Sequence, residues 1–336
     1  MKTSPRFLPF ISLLLLPFIL VDANTLTKLS HAWTFVTDFV VQRHSGKYTG
    51  EREGLQIIGA GFGRTGTKSI EAGLHDLGHR IYDLRSILEN DHGNRWVQCA
   101  KDWKVGQKDT CEALVTELEQ AGYTVTLDFP LNLFALILAD LRPEAKVLFS
   151  VRDTEQKWVN SWAMIVKTLG CFVSRPWKWV IPEFHFVQQA FFELEDFYWR
   201  EPRFEDGDFI RPLPWFEVLI NHPHLDNDEG KQEWIELHQK FKAKCEASLP
   251  RDRLLIFNVK QGWKPLVPFL GLDKSYYQKD FPNVNDRNSV LIIRKVMDVL
   301  AIGLPVWILV LLYALLRLVL FVVAMFVGGN KKVKMN

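Results

Sequence analysis

The 336-residue sequence has little cysteine, almost no net charge, and no repeated or low-complexity segment. Four cysteines are too few for a disulfide scaffold, and cysteine and histidine never occur together at the spacing of a zinc site. A net charge of +2 argues against a nucleic-acid-binding domain, which normally carries a basic excess. Apolar character is abundant instead: 48% of the residues are hydrophobic, which excludes a disordered or fibrous protein.

The small positive charge comes from the two ends of the chain. The apolar end segments and their flanks contain one acidic residue, Asp22, and six basic ones: Lys2, Arg6, Arg317, Lys331, Lys332 and Lys334. The rest of the chain has 35 basic and 38 acidic residues and is therefore slightly acidic. This distribution indicates an ordinary globular head with basic membrane flanks.

The N-terminal apolar run covers residues 7–21 and reads FLPFISLLLLPFILV. Fifteen residues behind Lys2 and Arg6 are short for a membrane span and typical of a secretory signal. We predict a signal peptide over residues 1–23, with an uncleaved anchor as the alternative.

A longer apolar run of 29 residues, 299–327, contains a single charge, Arg317. As a helix it would exceed the ~30 Å hydrocarbon core, so we predict one tilted transmembrane helix with Arg317 near an interface. A buried core helix is the alternative.

The C-terminal tail carries Lys332 and Lys334 in the pattern K-x-K-x-x, which resembles the retrieval signal read by coat proteins. A positively charged stop-transfer flank is the alternative interpretation. Both place the tail in the cytosol, so we expect a single-pass type I protein of the ER or Golgi with a lumenal head. The sequence has no N-x-[ST] glycosylation site that would support this expectation independently.

Strand and helix patterns alternate from residue 55 onward. We predict strands over 55–60, 123–127, 146–151 and 254–258, and helices over 67–77, 109–121 and 131–141. This order predicts an α/β fold with a parallel sheet that binds ligands at the carboxyl ends of its strands. We expect the Trp- and Phe-rich segment 171–215 to cover the substrate cleft. The predicted organisation is a signal peptide (1–23), an amphipathic stem and linker (24–54), the α/β domain (55–295), a membrane anchor (296–327) and a cytosolic tail (328–336).

The most informative segment is LQIIGAGFGRTGTKSIEAG, residues 55–73. A predicted strand leads into four glycines within residues 59–66, here called the glycine loop, and then directly into a helix. Glycines allow tight turns that direct backbone N–H groups toward one point, and a helix N-terminus favours an anion. The segment therefore predicts a phosphate or sulfate site, with an ordinary Gly-rich turn as the structural alternative.

Two familiar phosphate motifs fit this segment incompletely. A Walker loop requires Lys directly after Gly66, but Thr67 intervenes before Lys68. A dinucleotide-binding turn that starts at Gly59 has Arg64 in place of its last glycine, although Asp83 lies near the position of a ribose-binding acid. An NAD-dependent oxidoreductase is thus a weaker alternative.

A third interpretation fits every position. The pattern G-x-G-x-x-R-T-G-T-x-S runs from Gly59 to Ser69. It resembles the 5′-phosphosulfate loop of P-loop sulfotransferases that use 3′-phosphoadenylyl sulfate (PAPS), in the form typical of bacterial and fungal members. The resemblance implies a P-loop NTPase-like parallel sheet and a donor-binding loop formed by Gly63, Arg64, Thr65, Gly66, Thr67, Lys68 and Ser69.

A second segment of the chain has the same resemblance. Residues 147–153 (VLFSVRD) are similar to the strand whose Arg, together with a Ser on the next helix, holds the 3′-phosphate of PAPS. The matching residues are Arg152 and Ser161. Their spacing is nine, whereas the usual spacing of eight falls on Asn160. Further similar segments lie at 128–130, 262–266 and 281–286, so the resemblance spans roughly residues 55–287.

The resemblance implies transfer of a sulfuryl group from PAPS to a hydroxyl or amine acceptor, without a metal. Arg64 would stabilise negative charge on the leaving phosphate, because an arginine stays protonated and is a poor acid. Asp128, at the end of a predicted strand, is the candidate general base, with a turn-capping role as its alternative.

The acceptor could be a small molecule, a lipid or a glycan. A membrane protein that uses this fold only for interaction is the remaining alternative. Cys99 and Cys111 could pair in a lumenal head.

Overall fold

The central part of the chain is the part whose structure can be followed continuously. The computed structural model describes residues 53–173 and 228–284, with single positions between 186 and 194 and between 309 and 320. The predicted signal peptide, stem helix and basic tail lie outside the described residues, as does most of the predicted cleft segment and membrane anchor.

The chain divides into two compact units. One comprises Arg43–Val290, and the other combines Met1–Gln42 with Leu291–Asn336. Among the described residues, none of the helices has both the length and the apolar character that a bilayer crossing requires.

Arg43–Val290 is built around one parallel sheet of five strands in the order β2-β3-β1-β4-β5. The strands are β1 (Ile57–Gly59), β2 (Ile81–Tyr82), β3 (Val125–Thr126), β4 (Lys146–Val151) and β5 (Leu254–Asn258). The predicted α/β class and parallel sheet are therefore confirmed, with β4 and β5 at their predicted bounds. The sequence did not predict β2, because two residues are too few to show an alternating pattern.

The helices of the described part connect and cover these strands. They are α1 (Thr67–Asp76), α2 (Leu84–Glu89), α3 (Gly93–Lys104), α4 (Asp109–Gln120), α5 (Ala135–Leu141), α6 (Glu155–Val173), α7 (Asp228–Ser248) and α8 (Trp263–Leu270). The helix predicted over 131–141 is in fact two pieces, because a 3₁₀ turn, Leu131–Phe134, precedes α5.

Both faces of the sheet are buried because successive side chains of a strand point to opposite sides. Ile57 belongs to the core layer between the sheet and helices α1 and α8, where it joins Ile70 and Trp263. Its neighbour Ile58 belongs to the larger layer on the other face, which helices α3 to α7 cover. A sheet covered on both sides leaves its strand ends as the accessible places for a ligand.

Candidate active site

Three segments singled out in the sequence meet at the carboxyl edge of the sheet. The glycine loop follows β1, Asp128 comes two residues after β3, and Arg152 directly follows β4. Strand β1 lies between β3 and β4, so the three segments leave adjacent strands. The order of the strands reverses at this point, which is where open α/β sheets bind ligands.

The backbone of the glycine loop lies directly against β4. A Cβ atom placed on Gly61 would overlap Ser150 Oγ and would lie 2.6 Å from the Ser150 backbone nitrogen. A Cβ atom on Gly66 would lie 2.6 Å from a methyl carbon of Val259, in the turn after β5. The glycines are therefore required by close packing between the loop and its neighbours.

The loop ends by opening helix α1. Gly66 has a φ of 96° and is the N-cap residue, and α1 begins without a side-chain cap. The first N–H groups of an uncapped helix are available for an anion, which the helix dipole favours. The loop and helix therefore have the backbone geometry of the anion site that the sequence predicts.

The loop hydroxyl groups have mainly internal partners. Thr65 is fully buried, and its Oγ1 donates to Phe62 O (2.6 Å) and lies 2.5 Å from Ser150 Oγ. Ser69 Oγ accepts a hydrogen bond from the backbone N–H of Val284 (3.0 Å). The hydroxyl of Thr65 thus stabilises the loop from inside, and Ser69 connects α1 to a later segment of the chain.

Two of the predicted cations, Arg64 and Arg152, form one cluster with Ser161. Arg64 Nε donates to Ser161 Oγ at 3.0 Å, and Arg152 Nη1 donates to the backbone oxygen of Arg64 at 3.2 Å. Asn160, the residue at the usual spacing, is exposed and accepts from Gln156 on its own helix. Of these two candidates on α6, Ser161 is therefore the one that contacts the loop.

Asp128 also lies beside Gly63. A Cβ atom on Gly63 would lie 3.3 Å from Asp128 Oδ1, which accepts a hydrogen bond from the Phe129 N–H (2.9 Å). The peptide bond that follows, Phe129–Pro130, is cis. The carboxylate is thus held beside the glycine loop, within the same site.

Comparison with known proteins agrees with this geometry. Residues 56–290, which include the whole sheet and the glycine loop, match the sulfotransferase domain family. The chain belongs to the sulfotransferase family. A relative from Aspergillus versicolor, named Ava biosynthesis cluster protein M, is 26% identical over 236 residues, which cover 68% of this chain and 80% of the relative.

The electrostatics of the sulfotransferase site centre on Asp128. Burial raises the pKa of Asp128 to about 6, while the Lys68 ammonium and the Phe129 N–H oppose the rise. Asp83 and Glu71 contribute further to the rise because they are like charges. A carboxylate with a pKa in this range is a better proton acceptor than an ordinary aspartate.

Lys68, on the first turn of α1, pairs with a carboxylate of its own helix. Its Nζ lies 2.6 Å from Glu71 Oε2. Burial disfavours the charged ammonium, but the nearby carboxylates of Glu71, Asp128 and Asp83 together raise the pKa of Lys68. Lys68 is therefore charged and interacts with these three carboxylates.

Sequence reasoning missed two residues that support the loop. Trp158 Nε1 donates to Gly63 O at 3.1 Å, and the buried ring of Trp162 lies 3.1 Å from a Cβ atom placed on Gly63. Both are on α6, four residues apart, so they share one face of that helix. This i, i+4 tryptophan pair is visible in the sequence, but only the fold shows which segment it contacts.

The part of the chain that the structure describes can be searched for a metal-binding group. Within it, histidine, cysteine, aspartate and glutamate do not gather into a group that could hold a metal ion. The site instead consists of backbone N–H groups, two arginines, a lysine and a carboxylate.

Proposed function

We propose that this sulfotransferase transfers the sulfuryl group of PAPS to a hydroxyl or amine acceptor. The observation that carries the proposal is the contact of two arginines at the glycine loop, where Arg152 Nη1 lies 3.2 Å from Arg64 O. Arginine presents a planar fork of donors that suits phosphate and sulfate oxygens. Two such forks beside a helix N-terminus favour a ligand with several anionic groups.

The loop fits the 5′-phosphosulfate of such a donor. Its glycines leave no room for side chains on the sheet side, and α1 begins without a side-chain cap. Successive N–H groups from Gly63 onward would hold the anion, and Ser161 would position the guanidinium of Arg64. Arg152 would hold the 3′-phosphate, as the family resemblance implies.

The reaction requires charge stabilisation and a proton acceptor. The bond between sulfur and the bridging oxygen of the phosphosulfate breaks as a bond forms between sulfur and the acceptor atom, and 3′,5′-ADP leaves. Arg64 stabilises the negative charge that develops on the leaving phosphate. Asp128 accepts the proton of the acceptor group.

Binding of 3′,5′-ADP to the full chain in detergent tests the donor site. We expect Arg64→Ala and Arg152→Ala each to weaken binding by roughly tenfold or more, because each removes a charge-assisted contact. Arg251→Ala, an exposed arginine on the turn before β5, is the matched control and should bind like the wild type. Unchanged binding in both site variants would overturn the proposal, and thermal protection by NAD instead would favour the oxidoreductase alternative.

Turnover distinguishes an enzyme from an interaction protein. A screen of acceptors with labelled PAPS should find sulfated product among small molecules, lipids or glycans, whereas nucleotide binding without any product would favour the non-catalytic alternative. The relative from Aspergillus versicolor is named for a biosynthesis cluster, and that name favours an enzyme.

We also propose that the head is lumenal and that residues 296–327 anchor it. Two observations support this proposal. Cys99 and Cys111 form a disulfide, which is typical of an oxidising compartment. The described residues near the C-terminus expose a set of large apolar side chains: Leu309, Leu312, Tyr313, Leu315, Leu316, Val319 and Leu320. Lipid is a suitable environment for these side chains. Retrieval by coat proteins through Lys332 and Lys334 would keep the protein in the early secretory pathway.

A further inference from the structure

The ammonium of Lys68 is held in place by a buried carboxylate. The Lys68 Nζ to Glu71 Oε2 distance is 2.6 Å, and the two side chains are 22% and 7% exposed. A pair with so little exposure is weakly screened by solvent, and removing one partner leaves the other as an uncompensated charge. Lys68 is thus directed along its own helix toward Glu71.

Two more carboxylates approach Lys68 from neighbouring strands. Asp83 follows β2, and Asp128 follows β3, which lies beside β2 in the sheet. Asp83 is fixed because its Oδ1 accepts from the Ser86 backbone N–H (3.0 Å) and hydroxyl (3.2 Å). Both carboxylates attract the Lys68 ammonium. Lys68 is therefore the cation of a group of three carboxylates, one of which is the proposed base.

The arginines of the donor site have different partners. Arg64 donates a hydrogen bond to Ser161 on α6, and Arg152 donates one to the backbone oxygen of Arg64. The pairing of Lys68 with Glu71 thus separates it from the cations that the proposed function assigns to the donor.

We propose that Lys68 is a positioning residue for the proposed base, whose ammonium keeps the Asp128 carboxylate charged and ready to accept a proton, and that it does not bind the donor phosphosulfate. The inference rests on the proposed function, in which Asp128 accepts the acceptor proton.

The charges around Asp128 determine the direction of each effect. Lys68 lowers the pKa of Asp128, whereas Asp83 and Glu71 raise it. Without Lys68, Asp128 would be protonated at a higher pH, and a smaller fraction of it would be available as a base near neutral pH. Without Glu71, Asp128 would lose a neighbouring negative charge, and Lys68 would be free to move toward Asp128. Both changes favour the charged form of Asp128 and lower its pKa.

Carbodiimide labelling of the full chain, read at Asp128 by peptide mass spectrometry across pH, tests the electrostatic link without an acceptor. The reagent modifies the protonated carboxyl, so labelling falls as the pH passes through the pKa. We expect Lys68→Met to move the midpoint up by roughly one pH unit, and Glu71→Gln to move it down. Lys101→Met, an exposed lysine on α3, is the matched control and should leave it unchanged. An unmoved midpoint in Lys68→Met would overturn the inference.

Lys68→Arg and Glu71→Gln keep the test decisive if Lys68→Met does not fold. The arginine retains the charge and should keep the midpoint near that of the wild type. A midpoint that does not fall in Glu71→Gln would contradict the proposed arrangement.

Binding of 3′,5′-ADP and of PAPS separates the two roles of Lys68. A lysine that does not contact the donor predicts that Lys68→Met binds both ligands within about threefold of the wild type, whereas loss of a direct charged contact would weaken PAPS binding by roughly tenfold or more. The second result would overturn the inference. If the wild type binds neither ligand, the proposed function fails, while the labelling still decides whether Lys68 controls Asp128.

Discussion

Arg64 and Asp128, the two residues with the central roles in the proposed chemistry, share an uncommon backbone conformation. Each has a φ of 71°, in the left-handed region. A residue with a Cβ atom there costs about 1–2 kcal/mol. Such conformations persist only where surrounding contacts hold them, and they concentrate at functional sites. At Arg64 those contacts include the bonds to Ser161 and Arg152.

Gly61 provides a test of the close contact between the glycine loop and β4. In Gly61→Ala the new methyl group would meet the backbone of Ser150, which cannot move without disturbing the strand. We expect this overpacking to lower the free energy of unfolding by about 1–3 kcal/mol and to weaken 3′,5′-ADP binding. Chemical denaturation and calorimetry measure the two effects.

Gly106→Ala is the control for this substitution. Gly106 has a φ of 80° and nothing within 4 Å of an added Cβ atom. Its substitution should cost about 1 kcal/mol from backbone strain alone and leave nucleotide binding intact. If Gly61→Ala bound 3′,5′-ADP as tightly as the wild type, the prediction that the close contact with β4 positions the loop would be wrong.

Asp128→Asn tests the proposed base. We expect kcat to fall by roughly 10²–10⁴, because the amide cannot accept the proton. In the wild type kcat/KM should fall below about pH 6, where Asp128 becomes protonated in the free enzyme. The variant should lack this acidic limb, and a pH–rate profile with the limb unchanged would assign the base elsewhere.

The same substitution has a predictable effect on stability. The raised pKa of Asp128 stabilises the folded protein below the unfolded value near 4, and this contribution is lost as the pH rises through about 6. Asp128→Asn should therefore be more stable than the wild type at pH 7 by about 1–2 kcal/mol, allowing for solvent screening at a partly exposed side chain. The difference should disappear near pH 4.

At the level of secondary structure elements, a disulfide connects helices α3 and α4. Cys99 and Cys111 are fully buried and close a loop of twelve residues. We expect reduction to lower the free energy of unfolding by about 2–3 kcal/mol, measured by chemical denaturation with and without reductant. The double variant Cys99→Ala/Cys111→Ala should be insensitive to reductant.

Cys245 is the internal control for this experiment. Burial raises the pKa of its thiol to about 12, so it should stay protonated and unreactive in the folded protein. Rapid alkylation of Cys99 or Cys111 in the native, unreduced protein would contradict the disulfide.

The elements of the fold differ in how far the sequence predicts them. Strands β4 and β5 are continuous apolar runs with clear ends, and both were predicted at their observed bounds. Strand β2 and helices α2, α3, α7 and α8 were not predicted, and α6 was implied only by the family resemblance. Helix α7 is long but its apolar residues are diluted by many charged ones, so its helical pattern is weak in the sequence.

At the scale of the whole molecule, the proposed topology places the head and the tail on opposite sides of a membrane. In sealed microsomes, an epitope inserted near Gly46 should be protected from protease, and one at the C-terminus should be digested. Detergent should make both accessible. Digestion of the Gly46 epitope in intact vesicles would place the head in the cytosol and overturn the lumenal proposal.

The sequence by itself determined the fold class and the position of the glycine loop, because both depend on local patterns. The glycine loop and α1 are consecutive in the chain, so their residues form one local motif. The alternation of strands and helices along the chain indicates a parallel sheet. The family resemblance also came from these contiguous motifs, and the family match confirmed it.

Only the tertiary structure decided which side chains meet. Ser161 rather than Asn160 lies beside Arg64, although 97 residues separate the partners. Asp83 and Asp128 both lie near Lys68 because neighbouring strands end at one edge of the sheet, and burial raises the pKa of Asp128. Distances between distant residues and the burial of a charge are properties of packing, and residue type and spacing do not contain them.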